Sequence, residues 1–178
     1  MSIIDISGAK RMLYAMRNGI VADALRKGGC PRINIYGVNL PQLNEIAEEI
    51  GSNRDLALQM WEDGSLREFI LLATMIYPPE QLEINEAKRL AHSVLWEEEA
   101  DILCFKLLRK TAYASELAAE LCSSDNQLVR YTGLRLWFNI VGQYPSEALA
   151  AAREELKRTN PVGLATSLAE EATFYLDT

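Results

Sequence analysis

The sequence is poor in the residues that build metal centres and nucleophilic triads. It has one histidine, His92, and three widely spaced cysteines, Cys30, Cys104 and Cys122. A single imidazole excludes a histidine-based metal cluster and a conventional triad with the nearby residues. An odd number of distant cysteines fits reduced thiols better than disulfides or a metal site. We therefore expect no metal, no cofactor and a cytoplasmic location.

Long apolar runs and an export signal are also absent. The longest apolar stretches, such as FILLATMIY from Phe69, are far shorter than the roughly 20 residues of a membrane span. The first residues, MSIIDISGAKR, lack a basic start followed by an apolar segment. The sequence therefore predicts neither secretion nor a membrane partner. With 178 residues, the chain is long enough to bury a full core.

Net positive charge is missing as well. The formal net charge is −7, which disfavours tight, indiscriminate DNA binding because such binding depends on neutralising phosphates. The distribution is uneven, because residues 10–32 contain six basic residues and one acid, Asp23. This segment leaves room for an anionic partner, and a solvated amphipathic helix explains it at least equally well. The basic residues are Lys10, Arg11, Arg17, Arg26, Lys27 and Arg32.

Helical periodicity, in contrast, runs through nearly the whole sequence, with glycine and proline between the periodic segments. In PQLNEIAEEIG, Pro41 suits a first helical turn and Gly51 suits a helix end. No segment alternates clearly enough to predict a strand, and RINIYGV is typical of an extended connection. The pattern predicts helices over residues 8–27, 41–50, 54–63, 65–77, 83–94, 97–109, 112–122, 126–143, 146–158 and 161–176.

Two of these segments resemble each other. DGSLREFILLATMIYPPEQL aligns with DNQLVRYTGLRLWFNIVGQYPSEAL, so that Leu66 falls on Leu128 and Phe69 falls on Tyr131. Repeated antiparallel helix pairs explain such similarity, because each pair must bury its apolar face on the next. We expect an all-α fold, a right-handed stack of antiparallel helix pairs (an α-solenoid) with one row of helices on an inner surface. We also expect a single domain over residues 1–178.

The sequence YGVNLPQLNEIAEEIGSNRDLALQMWEDGSLREFILLATMIYPPE, residues 36–80, resembles the DNA alkylation-repair enzyme family, the HEAT-like-repeat alkylpurine-DNA glycosylases. The elements that carry the resemblance are GV followed by Pro41, then IAEEIG, LALQMW, and Gly64 before LREFILLA. It continues through ADILCFKLLRKTAYA and LVRYTGLRL and covers about residues 15–145. The resemblance implies that the helix pairs are HEAT-like repeats.

The resemblance also implies a function. Active members release cationic N3- or N7-alkylated purines from double-stranded DNA without drawing the base into a pocket, and a basic inner surface follows the DNA backbone. The family's catalytic aspartate falls on Asp101, and a backbone-contacting arginine falls on Arg130. The family usually has tryptophan four residues before the aspartate, where this chain has Glu97, with Trp96 one position earlier. A later aromatic of the family's site has no tryptophan counterpart in LATSLAEEATFYLDT.

The residues around Asp101 leave two interpretations open. A helix turns about 100° per residue, which places Asp101 on a mostly apolar face, where a carboxylate is costly unless it has a partner. When a glycosidic bond breaks, a fixed carboxylate facing the sugar stabilises the developing positive charge. The alternative is a structural aspartate bonded to an arginine or to backbone N–H groups. The neighbours on the same face are Cys104, Phe105 and Leu108, and the predicted polar ridge is Glu99, Lys106 and Lys110.

Four further residues are candidates for DNA contact. The ring of Trp96 would hold a cationic base, but its position, about 140° around the helix from Asp101, requires that the helix begin there. Arg130 could fork onto a phosphate or onto a carboxylate, Asp101 included. Arg109 and Arg135 would extend a basic strip.

One mid-helix glycine and four aromatic residues are assigned mainly to packing between helices. Glycine in a helix interior costs about 1 kcal/mol relative to alanine, so Gly133 indicates close approach by another helix or by a ligand backbone. The aromatic residues assigned to the core are Trp61, Phe69, Trp137 and Phe138.

Two functions therefore compete. The first is a DNA alkylation repair glycosylase that acts on alkylated double-stranded DNA, with Asp101 as the catalytic group. The second is a non-catalytic HEAT-like repeat module that binds DNA or a protein partner through its inner surface. The excess of acidic residues and Glu97 at the expected tryptophan position favour the second.

Overall fold

The computed structural model describes residues 4–158 and 163–177, and these are helical nearly throughout. Within these ranges there are eleven α-helices and two short 3-10 turns, and the one extended pairing is an isolated bridge between Asn34 and Leu66. The prediction of an all-α fold is confirmed. The chain divides into two compact units, Met1–Gln81 and Leu82–Thr178. A single domain over residues 1–178 stays a prediction.

The first unit is built around one almost entirely buried helix, Arg67–Ile76, which packs against the helices Leu40–Ile50 and Arg54–Asp63. The prediction of one helix over residues 8–27 is wrong, because the helix is interrupted before Gly19. There the side chain of Asn18 accepts hydrogen bonds from the N–H groups of Ile20 and Val21 and starts a second helix. The unit contains α1 (Ile6–Ala15), α2 (Gly19–Lys27), α3 (Leu40–Ile50), α4 (Arg54–Asp63), α5 (Arg67–Ile76) and a 3-10 turn (Pro79–Gln81).

A buried carboxylate fixes the extended connection of the first unit. Glu68 accepts hydrogen bonds from the backbone N–H groups of Tyr36, Gly37 and Val38 at 3.1, 2.8 and 3.3 Å, and Arg67 donates to it at 2.9 Å. Gly37 has a φ of 76°, and a Cβ at that position would meet the Asn18 carbonyl oxygen at 2.2 Å. Only glycine fits this close approach. The connection is therefore held by three hydrogen bonds to a buried carboxylate and by a close contact that only glycine permits.

The second unit has the helix Gln127–Asn139 at its centre, in contact with four other helices of the unit. The predicted helix over residues 97–109 is shorter than expected, because a 3-10 turn replaces its last residues. The predicted start at Pro161 lies outside the described residues. The unit contains α6 (Ile84–Ser93), α7 (Glu97–Lys106), a 3-10 turn (Leu108–Lys110), α8 (Ala114–Cys122), α9 (Gln127–Asn139), α10 (Pro145–Leu156) and α11 (Leu164–Leu176).

The two segments that resemble each other in sequence are the central helices of the two units, α5 and α9. Phe69 on α5 and Tyr131 on α9 are both buried, as their alignment predicts. Trp61 and Trp137 are buried as well, whereas Phe138 is partly exposed beside a cleft described below. The three cysteines are free thiols.

Gly133 lies where α9 crosses α8 most closely. A Cβ built on it would stand 2.7 Å from the backbone nitrogen of Cys122, 2.8 Å from its sulfur and 2.9 Å from the carbonyl oxygen of Ala118. These distances are shorter than normal van der Waals contact, so any larger residue would push the helices apart. Of the two explanations for this glycine, close packing of another helix is the one observed.

Replacing Gly133 with alanine should therefore destabilise the protein, although alanine is the better helix former. We expect a loss of about 1–3 kcal/mol in the free energy of unfolding, the usual cost of overpacking, measured by urea titration. Gly142→Ala is the matched control, because nothing lies within 4 Å of the added Cβ. Equal stability of the two variants would contradict the interpretation.

Candidate functional site

The packing of α7 against α9 brings an aspartate, an arginine and a tyrosine together. Arg135 Nε donates to Asp101 Oδ1 at 2.6 Å, and Arg135 Nη2 donates to Oδ2 at 3.2 Å. The hydroxyl of Tyr131 donates to Oδ1 at 2.8 Å and accepts from Arg135 Nη2 at 3.1 Å. Tyr131 and Arg135 are four residues apart on α9, so their side chains share one face. The Asp101 carboxylate is therefore fixed at both oxygens.

Asp101 is held by this cluster but remains open to solvent. Its side chain is 34% exposed and that of Arg135 is 33% exposed, whereas Tyr131 is buried. An approaching molecule can therefore reach the acid and the guanidinium. Asp101 is paired with an arginine, as the structural interpretation predicts. The pair is, however, not buried in the core.

The cluster shifts the pKa values of both residues on α9. Burial, and then the hydrogen bond to Asp101 and its negative charge, raise the pKa of Tyr131 to about 12. Partial burial alone would lower the pKa of Arg135, but the charge of Asp101 and the hydrogen bonds to Asp101 and Tyr131 raise it. Tyr131 is therefore a neutral hydrogen-bond donor and Arg135 a permanent cation.

The raised pKa of Tyr131 predicts a pH dependence of stability. Above pH 10, near the ordinary pKa of tyrosine, the unfolded chain releases this proton while the folded chain retains it. The free energy of unfolding should fall by about 1 kcal/mol at pH 11 through this group alone. Urea titrations of the wild type and Tyr131→Phe between pH 9 and 11 would show it as a steeper decline in the wild type. Parallel declines would contradict the assignment.

A cleft of about 230 Å³ lies beside Arg135, between α9 and α11. Phe138 from α9 and Leu168 and Tyr175 from α11 line its walls. Tyr175 is 67% exposed, and its ring meets that of Phe174 edge-on, with 5.3 Å between the ring centroids. The same arginine therefore contacts the acid on one side and borders an aromatic cleft on the other.

Arg130 lies away from this cluster. It is buried, and its Nε donates to Glu155 Oε2 at 2.8 Å, while its Nη1 donates to the carbonyl oxygens of Ser124 and Asp125 at 3.1 and 2.9 Å. Arg158 also contacts Glu155, at 3.1 Å. Arg130 does form an inter-helix ion pair, but with Glu155 on α10 rather than with Asp101. Its predicted contact with the DNA backbone stays a prediction, and these bonds favour a structural role.

The start of α7 shows where Trp96 lies. Trp96 is the N-cap residue, with extended backbone angles (φ −150°, ψ 155°), and the helix begins at Glu97. This is the helix start that a role for Trp96 requires, because helical periodicity no longer sets its direction. Glu99 does not belong to a polar ridge, since it is fully buried and accepts a hydrogen bond from the N–H of Leu95 at 2.9 Å. Trp96 as a DNA contact stays a prediction.

Arg109 lies beyond the end of α7, in the 3-10 turn. Its guanidinium carbon is 4.0 Å from the centroid of the Phe105 ring. The residue is exposed, as a role in DNA contact requires. Arg135, the other member of the predicted basic strip, is part of the Asp101 cluster.

Sequence reasoning missed Tyr131 and Tyr175. Tyr131 was assigned by alignment to the same packing position as Phe69, and the available signal was its spacing of four residues from Arg135. Tyr175 and its neighbour Phe174 are the aromatic residues of LATSLAEEATFYLDT, the segment that lacks the family's tryptophan. Both lie on helices that contact the candidate site.

The fold defines the class of the chain: an all-α, HEAT-like helical repeat protein. A solved structure, of a new family of proteins related to the HEAT-like repeat DNA glycosylases with affinity for branched DNA structures, has a TM-score of 0.82 to this chain. It covers 94% of this chain and 74% of the other at 15% sequence identity, so the likeness concerns the fold. The model of the DNA alkylation repair enzyme family matches residues 9–161. The chain belongs to the DNA alkylation repair enzyme family.

Three further findings accompany these similarities. No curated protein matches the sequence significantly. Within residues 4–158 and 163–177, no helix is both long and apolar enough to cross a membrane. In the same part of the chain, no group of three or more histidine, cysteine or acidic residues is arranged to hold a metal ion.

Proposed function

We propose that the protein is a DNA glycosylase that removes cationic N3- or N7-alkylated purines from duplex DNA, with Asp101 as the catalytic group. The observation that carries the proposal is a carboxylate held at both oxygens by Tyr131 and Arg135, yet one-third exposed beside an aromatic cleft. A preorganised charge of this kind stabilises a transition state without reorganisation during the reaction. The match to the DNA alkylation repair enzyme family supports alkylated DNA as the substrate.

The chemistry requires little more than a fixed negative charge. An alkylated purine is already cationic and is a good leaving group, so no strong general acid is needed. As the bond between the base and C1′ lengthens, positive charge develops on the sugar, and the Asp101 carboxylate stabilises it. Water then adds to C1′ and loses a proton, for which the same carboxylate is an acceptor. The products are the free base and an abasic site.

Arg135 would connect catalysis to DNA binding. Its Nε and Nη2 are engaged by Asp101 and Tyr131, whereas its Nη1 has no protein partner among the described residues. A guanidinium has five N–H donors in a fixed plane, so Nη1 remains available for a phosphate oxygen. Arg135 would thus place the backbone of the lesion strand beside the Asp101 carboxylate.

The size of the neighbouring cleft supports recognition without base flipping. At about 230 Å³, the cleft is smaller than the 300–1,000 Å³ typical of sites that enclose a ligand. Phe138 and Tyr175 would contact the lesion nucleotide from the side rather than surround an extruded base. Their ring faces also favour a cationic base over a neutral one.

A second candidate is structure-selective DNA binding without excision. The ion pair between Asp101 and Arg135 favours DNA binding without excision, because Arg135 already offsets part of the negative charge that Asp101 would direct at the sugar. Glu97 favours it as well, since it replaces the aromatic residue usual in the active relatives. The solved structure of similar fold comes from a family described as having affinity for branched DNA. In this case the same surface would bind junctions and leave the bases intact.

Incubation with methylated duplex DNA tests the proposal directly. Chromatography of the ethanol-soluble fraction should show 3-methyladenine or 7-methylguanine in excess of spontaneous loss. Unmodified duplex and a four-way junction are titrated in parallel by fluorescence anisotropy. Base release supports the glycosylase, whereas junction binding with no release above the protein-free control overturns it in favour of the second candidate.

A further inference from the structure

A cavity of about 530 Å³ opens between α8 and α10, with α9 as its floor. This volume is within the roughly 300–1,000 Å³ of typical ligand sites, whereas the cleft beside Arg135 is smaller. Trp137, in the floor, follows Arg135 by two residues, about 200° around α9, so the cavity and the Asp101 cluster lie on opposite sides of α9. We call this cavity the outer groove. Its lining includes Leu134 and Trp137 of α9, Ala119 and Ser123 of α8, and Ala150 and Ala151 of α10.

The outer groove has short side chains on its walls and large apolar side chains in its floor. Alanine and serine cannot fill the space between α8 and α10, so a gap remains above Leu134 and Trp137, which are buried. Ala119 and Ala150 are exposed at the edges of this gap. A large apolar side chain that enters the gap would be buried against the leucine and the indole, as the anchor residue of a bound helix is.

The rim of the outer groove is negatively charged. Glu147 and Glu154 line it from α10 and are both exposed, and seven residues place them two turns, about 10 Å, apart on one face. On α8, the exposed Glu116 lies one turn before Ala119. Glu154 contacts Lys157, whereas Glu116 and Glu147 have no ion-pair partner among the described residues. The mouth of the outer groove therefore carries uncompensated negative charge.

The positive charge in the outer groove is already engaged. Arg158 also lines the groove, but its Nε contacts Glu155 at 3.1 Å and its Nη2 donates to the carbonyl oxygen of Cys122 at 3.2 Å. Glu155 is buried and also accepts a hydrogen bond from Arg130, so these charges compensate one another. The glutamates of the rim therefore set the sign of the local field, which repels DNA and attracts a basic segment.

We propose that the outer groove binds a basic amphipathic α-helix of a partner protein. One large apolar side chain of that helix would lie over Trp137, and lysine or arginine side chains seven residues apart would pair with Glu147 and Glu154. The seven-residue spacing is the same on both helices, so the charges match when the helices lie side by side. Because the outer groove and the Asp101 cluster lie on opposite sides of α9, the inference does not depend on the function proposed for Asp101.

A synthetic peptide tests the charges of the rim. The probe is a fluorescein-labelled, alanine-based peptide of about 15 residues, with lysine at positions i and i+7 and leucine at i+4, all on one helical face. Anisotropy titrations should show that Glu147→Lys binds it about three- to ten-fold more weakly than the wild type, because one exposed ion pair is replaced by a repulsion. Glu170→Lys is the matched control, since it makes the same charge change at an exposed position of α11. It should stay within about two-fold of the wild-type affinity.

Ala150→Trp tests the shape of the outer groove rather than its charge. The indole would fill the gap between α8 and α10 from an exposed position, so the fold should remain intact, as checked by the urea midpoint. The affinity for the peptide should fall at least about ten-fold, because the anchor side chain can no longer enter. Ala24→Trp, at an exposed position of α2, should bind the peptide as the wild type does. Wild-type affinity in Ala150→Trp, or an equal loss in Glu147→Lys and Glu170→Lys, would overturn the proposal.

Three further outcomes would assign the outer groove differently. A peptide of the same composition, with its lysines and leucine on different faces, should bind at least about five-fold more weakly. Equal binding of the two peptides would mean attraction by net charge alone and would overturn the proposal. Self-association of the wild type in sedimentation velocity that is lost in Ala150→Trp would make a second copy of the chain the occupant. Weaker binding of duplex DNA by Ala150→Trp would make the groove part of the DNA surface, whereas we expect wild-type affinity.

Discussion

Asp101→Asn should lower the rate of alkylpurine release by about 10²–10³-fold, the size of effect typical of removing one preorganised electrostatic group. Asparagine keeps the shape and an acceptor for Tyr131 and Arg135, but it has no charge to stabilise the sugar cation. DNA affinity should stay the same or rise, because a negative charge near the phosphates is removed. Single-turnover release from methylated DNA and anisotropy on the same DNA measure the two effects separately.

Glu97→Gln is the matched control for this variant. It removes one negative charge from the same face of α7, one turn before Asp101. We expect a rate change of no more than about two-fold, because Tyr131 and Arg135 rather than Glu97 hold the Asp101 carboxylate in place. Folding is checked by the urea midpoint, since the Asp101–Arg135 pair is partly exposed and should contribute about 0–1 kcal/mol. Robust release by Asp101→Asn would remove Asp101 from the mechanism.

Glu155→Gln should have the largest effect on stability. It leaves the guanidinium of Arg130 buried without a counter-charge and removes a partner of Arg158. Breaking a buried ion pair by changing one partner costs about 3–5 kcal/mol, because the remaining charge is not compensated. Urea titration of the wild type and the variant would show the loss as a lower free energy of unfolding.

Glu154→Gln is the control, since this neighbouring residue is 71% exposed in its side chain and pairs with the exposed Lys157. It should change the free energy of unfolding by less than about 1 kcal/mol. If Glu155→Gln is as stable as Glu154→Gln, the buried pair is not a structural element, and Arg130 becomes available again as a DNA contact. Tighter DNA binding by the folded Glu155→Gln variant would support the same conclusion, because the carboxylate that engages Arg130 is neutralised.

The helices could be predicted because periodicity and end signals agree along most of the chain. Pro41 and Gly51, for example, mark α3 within one residue. The break before α2 was missed because apolar residues continue the period through it, even though Asn18 and Gly19 together are typical of a turn. Capping of backbone N–H groups determines the structure at this point, and the spacing of apolar residues does not indicate where such a cap lies.

The site could be predicted only in part, because it depends on how helices are rotated against each other. Arg130 and Arg135 are both on α9, but five residues place them about 140° apart. Arg130 therefore faces α10, and Arg135 faces α7. Sequence spacing gives that angle but not which neighbour lies on which side. The pairing of Asp101 with Arg135 is a long-range contact, and only the packed helices establish it.

The clamp formed by Glu68 has a practical consequence for experiments on fragments. Residues 36–38 have no helical structure, and such segments are usually the first to be cut by proteases and the first chosen for tags. Here their N–H groups are bound to a buried carboxylate, so cleavage would require the clamp to open. Limited digestion should therefore spare this segment, and an inserted label there would disrupt the first unit rather than report on it.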